Sequence, residues 1–302
     1  MKSVLFIGSK KMGLLSLKTL HEIAPDSLVS IVTFDDRNDK RSEFDRFVAF
    51  SEAVKVPFHV LQKPSGLKEI VEKLRPDMCT VVGWYWIISQ RLLGAVKDGF
   101  VGVHSSLLPK YRGSAPLVWA IINGEKEAGV SLFYFDEGMD TGDIIGQERF
   151  EVEANESIMS ALLKAESRTQ KLFRKYYPML LAGNAPRKSQ KHEMATYASR
   201  RNPVDGRIKW ADSNISIHNF VRAQSHPYPG AYGYYQNRKI FILETSLFEY
   251  PYSGVPGLIA RHSDGSILVG CGKDALYIHT VQMEKGEPAP AGKVLDNNKY
   301  LT

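Results

Sequence analysis

His104 and Asp140 are the residues of this chain whose types and spacing best fit proton-transfer chemistry. His104 directly follows a short apolar run, and Asp140 lies in a glycine-flanked turn about one strand hairpin later. An imidazole can take up or release a proton near neutral pH. A carboxylate beside it can orient the ring and stabilise the imidazolium. We therefore predict that His104 and Asp140 form a catalytic pair, and we interpret the nearby Asp143 as a turn residue.

Two stretches around this pair could bind an anionic substrate. The loop after His104 carries Lys110 and Arg112, and the planar fork of arginine can grip phosphate oxygens in pairs. We predict that Arg112 does so, and we interpret most other basic residues as solvated surface charge. Gly8 to Gly13 forms a glycine-rich turn before a helix, which could hold a phosphate or contact a substrate, or could be only a tight turn. Its spacing is not G-x-G-x-x-G, which argues against a nicotinamide-dependent oxidoreductase.

Composition narrows the classes of protein to which the chain can belong. It has 302 residues, of which 43% are hydrophobic and 24% charged, as in soluble globular proteins. No apolar run approaches the roughly 18 residues that a membrane helix needs, and no signal-peptide pattern is present, so we expect a cytoplasmic protein. The net charge of +6 suits a phosphate-bearing partner, or it is ordinary solubility charge. Cys79 and Cys271 lie in apolar runs without metal-ligand spacing, which predicts buried free thiols and no metal.

The order of predicted elements indicates the fold class. Short apolar runs alternate with helical patterns over the first 103 residues, which predicts an α/β fold with a Rossmann-like parallel sheet. Ligands bind at the carboxyl ends of such strands, where His104 lies. About five short strands after residue 200 predict a small, OB-like β-barrel. We expect a catalytic domain at 1–183, a linker at 184–200 and the barrel domain at 201–302.

Longer motifs identify a family. The run from His104 to Leu117, the turn from Gly138 to Ile145 and the stretch from Arg200 to Ala231 resemble formyltransferases that use 10-formyltetrahydrofolate. The resemblance covers essentially the whole chain. Within the family, the chain is most similar to the enzymes that formylate sugar nucleotides.

The resemblance implies an activity and a site. It implies formyl transfer from 10-formyltetrahydrofolate, without a metal, to the primary amine of a nucleotide-linked amino sugar. The alternatives are a methionyl-tRNA formyltransferase and a non-catalytic family member, and a homodimer is also expected. His104 and Asp140 would be catalytic. The remaining site residues implied by the family are the folate-binding Trp86, Ile87, Ile88, Asp136, Glu137, Gly138 and Met139, and the acceptor-binding Lys10, Met12, Tyr111 and Arg112.

The chain departs from the family pattern at two positions. Gly102 stands where relatives carry an asparagine that donates to the developing oxyanion. Loss of one such donor typically slows a reaction by ~10²–10³-fold. A water held by Gly102 and a neighbouring side chain could supply the missing donor, or His104 alone could suffice. The third alternative is that the protein has lost efficient formyl transfer. We expect Gly102→Asn to leave activity equal or higher. Trp86 stands where relatives often have arginine, which concerns the fit of the folate donor.

Overall fold

The computed structural model describes residues 2–302, and these form two compact units. The first unit contains the residues up to Pro116, Ala128–Phe150 and Leu163–Ala198. The second contains Leu117–Glu127, Glu151–Leu162 and Ser199–Thr302. Each unit is therefore built from three separate segments, and residues 184–198 of the predicted linker lie in the first unit.

A seven-stranded sheet forms the centre of the first unit, with strand order β3-β2-β1-β4-β5-β7-β8. The pairs within β3-β2-β1-β4-β5 are parallel, whereas β7 runs antiparallel to β5. A short parallel pair, β6 and β9, forms a separate sheet. The strands up to β9 are β1 (Val4–Gly8), β2 (Leu28–Phe34), β3 (Phe58–Leu61), β4 (Met78–Val82), β5 (Phe100–His104), β6 (Arg112–Gly113), β7 (Glu127–Tyr134), β8 (Ile144–Glu151) and β9 (Tyr197–Ala198). The predicted α/β class is confirmed.

The sheet is surrounded by helices, as its apolar strands require. Strands β1 and β4 are buried at every position, which is typical of parallel strands covered on both faces. The helices up to residue 182 are α1 (Lys10–Ile23), α2 (Phe44–Val54), α3 (Gly66–Leu74), α4 (Gln90–Leu93), α5 (Pro116–Ile122) and α6 (Ile158–Ala182). Gly8 pairs with Val82, and Val81 pairs with Gly102, so β1, β4 and β5 end at one edge of the sheet. His104 is the last residue of β5 at that edge.

The second unit contains an antiparallel sheet with strand order β10-β11-β14-β13-β12, and β15 pairs with β14. Its elements are α7 (Asn214–Gln224), β10 (Ala231–Tyr235), β11 (Arg238–Leu247), β12 (Ile259–Arg261), β13 (Ile267–Gly270), β14 (Ala275–Met283) and β15 (Ala289–Pro290). The separate, small β-domain predicted for this region is confirmed, and its sheet is antiparallel. Residues 298–302 form backbone hydrogen bonds with both edges of the sheet, at Tyr234 in β10 and at Ile259 in β12.

Both cysteines are buried free thiols, as predicted. Cys79 in β4 is fully buried, and burial raises its pKa well above the ordinary value. Burial raises the pKa of Cys271 to about 12. Because the thiolate is the reactive form, neither thiol should react with an aromatic disulfide reagent at pH 8 in the native protein, and both should react after unfolding in guanidinium. Spectrophotometric thiol counting measures this; stoichiometric labelling of the native protein would contradict it.

Candidate functional site

The imidazole of His104 is held by a backbone carbonyl. The residue is buried at the end of β5, and its Nε2 lies 2.7 Å from the carbonyl oxygen of Tyr111. A carbonyl oxygen can only accept, so Nε2 carries the proton and the neutral ring has its lone pair on Nδ1. Nδ1 lies 3.7 Å from Asp140 Oδ2. Nδ1 is therefore the ring atom that can take up a proton.

Asp140 is fixed by the loop that follows His104. The residue has a φ of 53°, and its Oδ2 accepts a hydrogen bond of 2.8 Å from the Gly113 amide. The 3.7 Å separation from His104 is too long for a direct hydrogen bond, but it becomes a favourable charge contact once Nδ1 is protonated. Asp143 accepts instead from the Ser189 hydroxyl at 3.0 Å and lies 3.8 Å from Arg187, consistent with its interpretation as a turn residue.

Gly113 is needed where β6 approaches β9. Its φ is 106°, a conformation that favours glycine, and a Cβ atom there would collide with the carbonyl oxygen of Ala198. Tyr111, two positions before Gly113, also has a positive φ of 56°. The backbone turns tightly at these residues, which directs the Tyr111 carbonyl towards His104 and the Gly113 amide towards Asp140.

The space where a side chain at position 102 would stand is filled by Phe135. A Cβ atom on Gly102 would lie 2.7 Å from Phe135 Cζ and 2.8 Å from the carbonyl oxygen of Val81. The glycine is therefore part of the packing. This geometry argues against our expectation for Gly102→Asn, because an asparagine would have to displace Phe135 and move away from Val81.

Phe135 belongs to a group of aromatic rings beside His104. The ring centroids of Phe135 and Phe133 lie 5.1 Å apart. The Phe133 ring in turn contacts the imidazole of His104 edge-on, with 6.4 Å between the two ring centroids. The Phe135 ring thus occupies the space beside Gly102, the position where the family resemblance implies an asparagine amide. Sequence reasoning missed this role of Phe135; its only sequence signal is an aromatic residue directly before the glycine-flanked turn.

The first segment predicted to bind folate is part of an aromatic cluster after β4. The ring centroid of Phe34 lies 5.4 Å from that of Trp84 and 5.2 Å from that of Trp86. Trp84 Nε1 is buried and has no hydrogen-bond partner among the described residues. The side chain of Ile87 is 91% exposed, whereas Ile88 is half-buried. The segment therefore combines an aromatic surface, an unused N–H donor and an exposed apolar side chain.

The second predicted folate segment is a turn organised by Asp136. Its Oδ1 accepts hydrogen bonds of 3.1 Å from the Gly138 amide and 2.5 Å from the Thr141 hydroxyl. Gln90 Nε2, which follows the first folate segment, donates to Glu137 Oε2 at 2.6 Å. Met139 is 60% exposed. The structure thus brings the two predicted folate segments together at the edge where His104 lies.

The residues predicted to bind the acceptor have different surroundings. Met12 lies beside the site, with its Sδ 3.8 Å from the Ser105 hydroxyl. Lys10 Nζ, in contrast, lies 2.6 Å from Asp36 Oδ2 and 2.9 Å from Asp39 Oδ2. The ammonium group of Lys10 is thus paired with two carboxylates, and its role in binding the acceptor stays a prediction.

The Asp39 carboxylate in this cluster is held ionised. Burial opposes its ionisation, but hydrogen bonds from Arg41 and Lys10 outweigh burial and keep its pKa well below the ordinary value. The Asp39 carboxylate therefore stays charged throughout the physiological pH range.

Arg112 is buried, and its guanidinium is hydrogen-bonded within the protein. The residue is 1% exposed. Its guanidinium donates to Gln190 Oε1 at 2.7 and 3.2 Å, to His192 Nδ1 at 3.1 Å and to the Tyr197 hydroxyl at 3.3 Å. The segment between α6 and β9 folds back over the loop and uses these donors, so the binding of the acceptor by Arg112 stays a prediction. Nothing in the sequence of the loop signals this.

Residues 2–302 contain no group of three or more His, Cys, Asp or Glu side chains that could hold a metal ion. Over the same residues, the helices are all too short or too polar to cross a membrane.

The chain matches a known protein family over most of its length. Residues 20–178 match the family described as formyl transferase, and residues 201–299 match its C-terminal domain. A methionyl-tRNA formyltransferase of Caldanaerobacter subterraneus subsp. tengcongensis is 32% identical over 288 residues, which cover 93% of this chain and 92% of the relative.

Solved structures share the fold. An N-formyltransferase of Helicobacter canadensis, in complex with folinic acid and dTDP-3-aminofucose, superposes with a TM-score of 0.70 at 21% identity, covering 92% of this chain and 99% of that one. HypX of Aquifex aeolicus, in complex with tetrahydrofolic acid, superposes with a TM-score of 0.65 at 18% identity. This match covers 97% of the present chain, which spans about half of HypX, 47% of its length.

Proposed function

Since this chain belongs to the formyl transferase family, we propose that it transfers a formyl group from 10-formyltetrahydrofolate to the primary amine of a nucleotide-linked amino sugar. The observation that carries the proposal is the His104–Asp140 pair, with its free Nδ1, at the edge of the sheet where the two folate segments meet. Each part of the proposal is supported by a separate set of contacts.

The catalytic pair supports the transfer step. The neutral amine attacks the formyl carbon, a C–N bond forms, and the carbonyl oxygen becomes an oxyanion. His104 Nδ1 takes the amine proton, and Asp140, 3.7 Å away, stabilises the resulting imidazolium. The intermediate collapses as the bond from the formyl carbon to N10 of the folate breaks, and the imidazolium gives its proton to N10, which restores the neutral ring of His104. The imidazolium is the cation that faces the developing charge in place of the missing amide.

The aromatic cluster supports folate as the donor. A pterin is a flat heterocycle that packs well against tryptophan and phenylalanine rings. Ile87, which is 91% exposed, and Met139, which is 60% exposed, would be covered by it. The buried Trp84 Nε1 has an unused hydrogen to offer an acceptor. The structures of HypX and of the H. canadensis enzyme, which carry tetrahydrofolic acid and folinic acid, support the same donor.

The charge distribution near α1 favours a small acceptor. Lys10 is neutralised by Asp36 and Asp39, and Arg37 pairs with Asp35 at 2.6 Å. Proteins that grip a nucleic-acid backbone do so with cations that are available to its phosphates. Internally paired cations suit a small, specifically bound acceptor better. The dTDP-3-aminofucose in the H. canadensis structure is an acceptor of this kind.

Methionyl-tRNA is the second candidate acceptor. It is favoured by the 32% identity with a methionyl-tRNA formyltransferase over 93% of the chain and by the net charge of +6. The ion pairs around Lys10 weigh against it.

An acceptor panel tests the proposal. Purified protein is mixed with 10-formyltetrahydrofolate and either nucleotide-linked amino sugars or methionyl-tRNA, and tetrahydrofolate release and product mass are followed. We expect one formyl group to be added to one amino sugar, with His104→Ala as the inactive control. Formylation of methionyl-tRNA alone would refute the sugar acceptor. Folate binding without turnover on either acceptor would favour the non-catalytic alternative.

A further inference from the structure

The segment between α6 and β9 is hydrogen-bonded to two other parts of the first unit. Its backbone exchanges hydrogen bonds of 2.8 and 3.0 Å between Lys188 and Ile144, at the start of β8. Further along, the Thr196 carbonyl accepts from the Arg112 amide at 2.8 Å. The segment therefore connects the loop after His104 with the strand that follows the Asp140 turn.

Gln190 is the side chain of this segment that reaches the Asp140 turn. It is 5% exposed, and its Nε2 donates to the carbonyl oxygens of Asp140 at 2.9 Å and Gly142 at 2.7 Å. Both carbonyls belong to the turn in which Asp140 has a φ of 53°. Such a conformation persists only where neighbouring contacts enforce it.

Arg112 determines which way the Gln190 amide points. A guanidinium can only donate, so the oxygen of the amide must face Arg112. Oε1 accepts from Arg112 Nη2 at 2.7 Å and from Nε at 3.2 Å, which leaves both Nε2 hydrogens for the turn. The residue after Arg112, Gly113, donates its amide to the Asp140 carboxylate at 2.8 Å. Arg112 and Gln190 thus hold the backbone of Asp140 while Gly113 holds its carboxylate.

We propose that Gln190, oriented by the buried guanidinium of Arg112, is a positioning residue that sets the distance between the Asp140 carboxylate and Nδ1 of His104. Gln190 contacts neither reacting group. It acts through the Asp140 turn, and a shift of about 1 Å at a catalytic group can slow a reaction by ~10²-fold. The inference rests on the proposed function for its kinetic test, but the network itself can be tested without substrate.

Two substitutions remove the donors of Gln190 in different ways. Gln190→Met removes every hydrogen bond of the amide without adding charge. Gln190→Glu keeps an acceptor for Arg112 but turns a carboxylate oxygen towards the carbonyls of Asp140 and Gly142. Ser189→Ala is the matched control, because Ser189 bonds the same turn at Asp143, 3.0 Å away, and not at Asp140.

We expect both Gln190 variants to lower kcat by ~10- to 100-fold, with KM for donor and acceptor within about twofold of wild type. Ser189→Ala should retain wild-type kcat. In an Asp140→Asn background, the Gln190 substitutions should lower kcat only slightly further, because they act through the carboxylate that this background already lacks. Wild-type kcat in both Gln190 variants would overturn the proposal. So would double variants in which the fold-losses in kcat of the Gln190 and Asp140→Asn substitutions multiply in full.

Hydrogen exchange of the Gly113 amide gives the readout without substrate. This amide is bonded to Asp140 Oδ2, so its exchange reports how firmly the carboxylate is held. We expect exchange to be ~10-fold faster in the Gln190 variants and unchanged in Ser189→Ala. Unchanged exchange in Gln190→Met would overturn the positioning role. If no acceptor supports turnover in the wild-type protein, the proposed function fails alone, and the exchange measurement still decides the role of Gln190.

Discussion

His104→Ala should lower formyl transfer by ~10²–10⁴-fold, the usual contribution of a positioned acid–base group, while the protein stays folded. The reason is geometric. Nε2 is occupied by the Tyr111 carbonyl, so Nδ1 is the ring atom that can take the proton of the attacking amine. Alanine removes both this base and the imidazolium that would face the oxyanion. Steady-state rates, with the thermal unfolding midpoint measured in parallel, check the prediction.

Two controls separate the role of His104 from a general effect of substitution. Asp140→Asn keeps an acceptor for the Gly113 amide but loses the charge that stabilises the imidazolium, so an intermediate loss of rate is expected. His262→Ala changes an exposed histidine of the second unit and should leave the rate unchanged. Full activity in His104→Ala would refute the assigned chemistry, and a large loss in His262→Ala would show that the assay reports stability.

Gly102→Asn should destabilise the protein by about 1–3 kcal/mol, the usual cost of overpacking a filled interior, and should lower activity. A Cβ atom at this position would lie 2.8 Å from the Val81 carbonyl and 2.7 Å from Phe135 Cζ. The strain falls on β5, which ends at His104. Denaturant unfolding and the rate of formyl transfer measure the two effects.

A double substitution tests whether Phe135 is the cause. Phe135→Leu removes the ring that occupies the space over Gly102. If the two residues are coupled, the combined loss of unfolding free energy in Gly102→Asn/Phe135→Leu should be smaller than the sum of the single losses by at least ~0.5 kcal/mol. Activity should exceed that of Gly102→Asn alone, because the amide can then stand where relatives have it. Strictly additive losses, with no recovery of activity, would show that Phe135 is not what excludes a side chain.

The central sheet was predictable because its strands are simple in pattern. Strands β1 and β4 are apolar runs buried at every position, and such runs have few alternative structures. Helix α7 was missed for the opposite reason. Its buried positions are largely polar, so no apolar period marks it. Those buried polar residues are Asn214, His218, Asn219, Arg222 and Gln224.

The parts of the candidate site that depend only on neighbouring residues in the sequence were predictable. His104 lies at a strand end and Asp140 in a glycine-flanked turn, and both features can be read from neighbouring residues. Phe135 and Arg112 depend on contacts between distant segments. The Phe135 ring meets Gly102 only because β5 pairs with β7 in one register, and Arg112 is buried only because residues 190–197 fold back over it. Single-sequence patterns do not specify such pairings.

The hydrogen bonds of residues 298–302 have a consequence for self-association. An unpaired edge strand is a template for joining another chain, and proteins protect such edges against aggregation. In the second unit, β10 is bonded to Thr302 through Tyr234, and β12 to Lys299 through Ile259. Strand addition at either edge would first have to displace these residues. A homodimer that uses this unit would therefore be built from the outward side chains of its strands and not from a sheet continued across two chains.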